Sequence, residues 1–366
     1  ERKLPFFHDQ LKVYSYLVLA FFFSIGISVI LSNNPIQGID RIGSNIHFLV
    51  APFVAYSIYK SNVDMKHIVF AIKLSVIVAT VYAIYGEPSL GFDIRAEGGA
   101  DSPTIFGFIM VLFGFISIIN VWTQNKKEKL FSIFVFSLAI YSVILSGTRI
   151  AWVIFIVLFF STMFIWSIRG QLKKQGLILI VLALAVVIAI SINNKQFNIK
   201  IENAITEIKI SSADMDSRYV SSIGSVGIRL LMWRGGFEAF KQQPIIGYGY
   251  QNTGLEASRY ISGRHAKTYI KGSKMLHNDY INSLVGFGIL GLLILLLLIF
   301  LPLVIFFKRL KADKDCVTSA IGVLFIIALS VFAITDSIYS HSVMRSFFVF
   351  FLGFLLLKDR KKISPP

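Results

Sequence analysis

Tyr280–Phe307 reads "YINSLVGFGILGLLILLLLIFLPLVIFF", and no residue in this run carries a charge. Apolar runs of about 20 residues read as helices that cross a bilayer, because hydrocarbon cannot satisfy exposed backbone polar groups. The rest of the chain agrees: 55% of its 366 residues are hydrophobic, 15% are charged, and the mean hydropathy is +0.71. A soluble protein of this size could not cover so much apolar surface. The candidate spans are 12–31, 45–60, 67–86, 104–123, 128–146, 149–168, 176–192, 281–307, 316–334 and 342–357. The fold class is therefore an all-α polytopic membrane protein with about ten transmembrane helices. The number rises towards twelve if two helices are merged within 277–307, or if spans precede Glu1. Glu1 is not an initiator methionine, so residues are expected upstream, and the visible N-terminus has no cleavable signal pattern.

The net charge of +16 is distributed by topology. Arg2, Lys3 and Lys12 precede the first span, and Lys60 and Lys66 follow the second. Lys126, Lys127 and Lys129, then Arg169, Lys173 and Lys174, then Lys308, Arg309, Lys311 and Lys314 mark every other turn, and Lys358, Arg360, Lys361 and Lys362 close the chain. The alternate short loops are poor in base. This is the positive-inside pattern, and it predicts cytoplasmic N- and C-termini. The excess charge reports contact with anionic membrane lipid, and no nucleic-acid-binding motif is present. One cysteine, Cys316, excludes an intrachain disulfide and a cysteine-based metal cluster.

One outer loop differs from the others. Residues 193–276 form an 84-residue segment with 12 Lys or Arg against 6 Asp or Glu, too long to obey the positive-inside rule. The chain thus divides into spans over 1–192, a large outer loop over 193–276 and C-terminal spans over 277–366, within one integral membrane unit. In "GIRLLMWRGGFEAFKQQP", Trp233, Phe237 and Phe240 recur at helical spacing and Pro244 marks the stop, so the loop is expected to carry amphipathic helices. Arg234, Glu238 and Lys241 fall on the opposite, solvated face. Arg229, four residues before Trp233, falls on the apolar face, either snorkelling at the membrane surface or pointing into a cavity beneath the loop.

Polar residues gather at the outer helix ends: Arg41, Arg95, Arg149, Arg229, His277, Asp336, His341 and Arg345. Arg149 is the most informative. It stands in "ILSGTRIAW" between two apolar runs with almost no loop, so it lies at or just inside the outer interface. Charge is costly there, and positive anchoring belongs to the other side. Arginines grip phosphate oxygens in a planar, bidentate way, which suits a lipid-linked pyrophosphate at that depth. Histidine adds a group able to accept a proton near neutral pH. No carboxylate cluster with metal-ligand spacing occurs in the outer loops; Glu87, Asp93, Glu97 and Asp101 read as a solvated acidic loop. A site without metal or cofactor is the more economical reading.

Weaker signals have plainer explanations. "GFGILG" at 286–291 fits Gly-x-Gly-x-x-Gly but lies inside an apolar run with no preceding strand, so it reads as helix packing or a helix break. "PIIGYGY" reads as a turn. His8, His47, His67 and His265 read as structural or interfacial, and Trp122, Trp152 and Trp166 as members of interfacial belts.

Taken in order around the large loop, "SGTRIAW", "IRLLMWRGGFEAFKQQPIIGYGY" and "HNDYINSLVGFGILGL" resemble the O-antigen ligase and polymerase superfamily from Arg95 onward. The resemblance implies a bacterial inner-membrane glycosyltransferase with its active site on the periplasmic face. It implies a donor glycan linked to undecaprenyl pyrophosphate and a lipid A–core acceptor. Carried over by position, Arg149, Arg229 and His277 match the family's functional residues, and Asp336 matches from its place at the outer end of the penultimate helix. Arg149 and Arg229, assisted by Arg95, would hold the pyrophosphate; Asn278 and Tyr280 would join them in substrate binding. His277 would accept the acceptor's proton in an inverting displacement, and Asp336 would orient an arginine or the histidine, or cap its helix. A polymerase joining lipid-linked repeats uses the same donor. A polyprenyl-lipid flippase is disfavoured, because apart from Lys73 the spans are nearly free of charge.

Overall fold

The computed structural model describes residues 12–32, 35–61, 63–86, 95–172 and 224–358, with isolated positions 202, 205 and 206. Among the described residues the regular elements are all helical. They are α1 (Lys12–Ile30), α2 (Pro35–Ser44), α3 (Ile46–Lys60), α4 (Met65–Tyr85), α5 (Pro103–Ile118), α6 (Lys126–Ser146) and α7 (Arg149–Ile168). The large loop contributes α8 (Ser225–Gln242), α9 (Thr253–Ser258) and α10 (Arg264–Gly272), and the chain ends with α11 (Asp279–Ala312), α12 (Val317–Thr335) and α13 (Ser342–Lys358). Six of these, α1, α4, α6, α7, α11 and α12, are long and apolar enough to cross a membrane. The expected span at 176–192, most of 193–223, and Glu87 and Asp93 lie outside the described residues.

The helix ends sort into two layers. At one end Arg169 Nε donates to Lys314 O at 2.8 Å, and Lys358 Nζ reaches Val63 O. The other end carries α2, α8, α9 and α10 together with Arg41, Arg95, Arg149, His277 and Asp336. Between the layers α12 is the hub: 72% of its apolar window is buried, and it packs against α5, α7, α11 and α13.

Three local features depart from the sequence reading. The span expected at 104–123 stops at Ile118, because Ile119 O accepts from Trp166 Nε1 (2.9 Å) and Arg169 Nη1 (3.2 Å), and Asn120 Oδ1 from Arg169 Nη2 (2.8 Å). Trp166, expected in an interfacial belt, is buried by this arrangement. Helix α2 falls between the expected spans 12–31 and 45–60, where no element was expected; Pro35 occupies its first helical position, where a missing N–H is harmless. In α8 the buried stripe is Leu231, Met232, Gly235, Gly236 and Ala239, whereas Phe237 of the expected apolar face is exposed. The two glycines decide this. A Cβ on Gly235 would stand 2.4 Å from Ala257 O, and one on Gly236 2.7 Å from Leu276 and Ile281, so that face approaches its neighbours most closely.

The opening apolar run is not one continuous helix. Gly288 has φ 66° and ψ −163°, a region open essentially to glycine alone, and it breaks α11. Residues 244–249 fill the gap. Tyr248 N donates to Val285 O (2.8 Å), Gly249 N to Gly286 O (3.0 Å) and Ile289 N to Pro244 O (2.8 Å). Irregular backbone is tolerated at membrane depth when protein groups satisfy it in this way. "GFGILG" is thus a helix break, and the "PIIGYGY" turn is its partner.

Candidate functional site

His277 is held by the backbone on either side of it. Trp233 Nε1 of α8 donates to Leu276 O (3.0 Å), and Leu276 N donates to Asn282 Oδ1 (2.8 Å). Asn278 Oδ1 accepts from Ile281 N (3.0 Å) and so caps α11. His277 itself lies in the left-handed region with φ 47°, a conformation costing a non-glycine residue on the order of 1–3 kcal/mol. Such strain persists where the surroundings over-determine it, and here three hydrogen bonds do so.

The imidazole meets a carboxylate. Nδ1 of His277 lies 3.3 Å from Asp336 Oδ1, and the His277 side chain is 25% exposed. His341 Nε2 approaches the same oxygen at 3.6 Å, from the opposite strand of the α12–α13 turn. Asp336 is buried at the C-cap of α12, and its Oδ1 also accepts from Ser337 N (2.8 Å). Burial alone would push this carboxyl up, but the hydrogen bonds and charges of His277 and His341 outweigh burial and hold it well below the usual carboxylate range. Asp336 therefore contacts the histidine, one of the two partners the sequence allowed.

A second acid builds the floor. Asp279 is fully buried; its Oδ2 accepts from Ile338 N (2.7 Å) and its Oδ1 from Ser337 Oγ. It staples the 336–340 turn to the first turn of α11, fixing Asp336 relative to His277. Sequence reasoning gave Asp279, Ser337 and Asn282 no role. Asp279 stands in "HNDY" beside the histidine, and that adjacency was the available signal.

Three arginines collect nearby. Arg149 opens α7 and is exposed; Arg229, half-buried, lies one helical turn before Trp233. Arg95 donates from Nε to Ser146 O (2.8 Å) and from Nη2 to Thr148 Oγ1 (2.7 Å), clamping the turn that presents Arg149. Burial, then the charges of Arg229 and Arg149, push its guanidinium down from the usual arginine value, so both of those arginines lie within electrostatic reach of Arg95. Cations gathered in this way favour an anionic guest. Asn278 and Tyr280, expected in substrate binding, have internal partners: Asn278 caps α11, and Tyr280 Oη donates to Ser330 O (3.0 Å).

Comparison with known proteins bears on this geometry. An uncharacterized protein of Haemophilus influenzae is 26% identical over 359 residues, which covers 93% of this chain and 84% of the relative. A family model described as O-antigen ligase matches residues 134–296. The matched segment holds Arg149, Arg229, His277 and both halves of the α11 break. Residues 134–296 are thus similar to the O-antigen ligase family, in agreement with the resemblance of the motifs.

Proposed function

We propose that this protein transfers a glycan from undecaprenyl pyrophosphate to a hydroxyl of lipid A–core on the periplasmic face of the bacterial inner membrane, with both chain ends cytoplasmic. The observation that carries the reading is the His277–Asp336 contact, at the same end of the helix bundle as Arg95 and the two arginines whose charge it feels. Asp336 Oδ1 accepts a hydrogen bond from Nδ1–H of His277, which leaves Nε2 as the acceptor site of the imidazole. Nε2 removes the acceptor's hydroxyl proton while that oxygen attacks the anomeric carbon from the face opposite the leaving group. The bond from that carbon to the pyrophosphate oxygen breaks, and the electron pair departs with the pyrophosphate. Arg149 and Arg229, with Arg95 behind them, neutralise the charge that develops there. The anomeric configuration is inverted.

The test is reconstitution of the purified chain with lipid-linked glycan and either lipid A–core or additional donor, with products resolved on a gel. A ligase yields glycan on lipid A–core; longer lipid-linked chains would identify a polymerase. General-base assistance is worth about 10²–10⁴-fold. His277→Ala should therefore lower turnover by that order while leaving folding and donor binding intact. Normal turnover in a less stable His277→Ala protein would reduce the histidine to a structural residue.

A further inference from the structure

Two more arginines stand outside the chemistry just described. Arg41, in the last turn of α2, places its guanidinium 5.6 Å from the centre of the Tyr250 ring. Arg345, in the first turn of α13, is only 5% exposed; Nη1 donates to Tyr339 O, and Nε is buried with no hydrogen-bond partner. Each arginine lies within reach of the other's charge, with Tyr250 between them. Among the described residues neither has a carboxylate at ion-pair distance. The hydroxyl of Tyr339 is likewise buried and unpartnered.

A bond to one carbonyl explains why Arg345 could tether the 338–340 turn, but not why a second cation faces it. A buried charge is costly unless paired, and a like charge nearby adds to that cost. The missing partner is an anion. Position says which one. Tyr250 Oη is 3.2 Å from Ser337 Oγ, and Ser337 follows Asp336, so the pair adjoins the catalytic histidine's carboxylate. Arg149 opens α7, Arg229 lies on α8 and Arg95 clamps the turn before α7, whereas Arg41 and Arg345 belong to α2 and α13; α12 packs against both α7 and α13.

We infer that Arg41 and Arg345 form a second anion subsite, which takes a phosphate or diphosphate carried by the acceptor while the donor's diphosphate occupies Arg95, Arg149 and Arg229. The inference rests on the glycosyl-transfer reading above. Planar guanidinium groups match phosphate oxygens bidentately, and Tyr339 can donate a further hydrogen bond. The same chemistry has two sources: a phosphate on the sugar core of an acceptor glycolipid, or the diphosphate of a second polyprenyl-linked glycan.

The experiment uses the purified full chain in lipid nanodiscs, with Arg41→Gln, Arg345→Gln and, should the latter fail to fold, Arg345→Lys. Arg41 is half-buried near the surface, so its variant keeps the test decisive. Steady-state transfer is measured with phosphorylated lipid A–core and with the same acceptor after dephosphorylation, and undecaprenyl diphosphate binding is titrated for stoichiometry. Loss of one charge-assisted hydrogen-bonding group should raise KM for the phosphorylated acceptor about tenfold or more, with kcat and donor KM unchanged. The dephosphorylated acceptor should already show the weaker KM in the wild type. If the source is a second lipid diphosphate, binding should instead fall from two undecaprenyl diphosphates per chain to one. Folded Arg41 and Arg345 variants that change neither acceptor KM nor stoichiometry would overturn the subsite. Arg149→Gln separates the two ideas: if it retains donor binding, the functional reading fails; if it loses donor while the Arg41 variant is silent, only the second subsite fails.

Discussion

Gly288→Ala tests the break in α11 at its tightest point. An alanine Cβ there would stand 2.2 Å from Ile245 O and 2.7 Å from Ile246 N, both backbone atoms that cannot swing away. The residue would also keep φ 66° and ψ −163°, a conformation costing a non-glycine residue about 1–3 kcal/mol. Relief requires segment 244–249 to move, and that removes the bonds from Tyr248 N, Gly249 N and Ile289 N, each worth about 1 kcal/mol net. The combined loss is about 4–6 kcal/mol, in the range reserved for backbone and core disruption. Gly26→Ala is the control, since a Cβ on Gly26 meets nothing within 4 Å and alanine favours helix. Thermal denaturation of the two detergent-purified variants, followed by size-exclusion recovery, measures the difference. Gly288→Ala should melt well below wild type, and Gly26→Ala at or slightly above it. Equal melting of the two variants would refute the interlock.

Other expectations are as specific. Because the Asp336 carboxyl is held below its ordinary value, its pairing stabilises the protein above about pH 3.9 and is lost only as pH falls through the lower folded value, so Asp336→Asn should lose thermal stability at neutral pH. An Asp336→Asn protein that melts like wild type at neutral pH would refute this pairing. Transfer should persist in excess EDTA, and Arg149→Lys should be impaired although its charge remains, because an ammonium lacks the two-pronged geometry. Loss of transfer in EDTA with recovery on adding magnesium would contradict arginine neutralisation. In a Cys316→Ser background, cysteine at Ser262 should react with an impermeant thiol reagent added from outside, and cysteine at Lys127 should not; the reverse pattern would invert the site's sidedness.

Much of this was legible because hydrocarbon imposes a coarse code. Apolar runs marked α1, α4, α6, α7 and α12 to within a few residues, and the charge alternation foretold which helix ends would share a layer. Arg149 could be located from spacing alone, since a turn as tight as Ser-Gly-Thr-Arg leaves an arginine nowhere else to go. What stayed hidden depends on pairings across long chain separations. The partner of Asp336 was left open between arginine and histidine because 59 residues separate it from His277. The packing face of α8 was misjudged because aromatic periodicity outweighed Gly235 and Gly236, whose contribution is the absence of a side chain. Arg41 and Arg345 could each be flagged as outer and polar, but only the fold sets both beside Tyr250.

The paired glycines of the α11 break also order events in time. Segment 244–249 is synthesised first and has no partner until α11 follows. The run from Tyr280 to Phe307 then enters the bilayer as an uninterrupted apolar stretch, and as a regular helix it satisfies its own backbone. Opening that helix at Gly288 therefore follows insertion, once the loop has reached the same side of the membrane and can supply its amides. A chain arrested before that opening would be inserted with α11 regular through Gly288 and without the backbone bonds from segment 244–249.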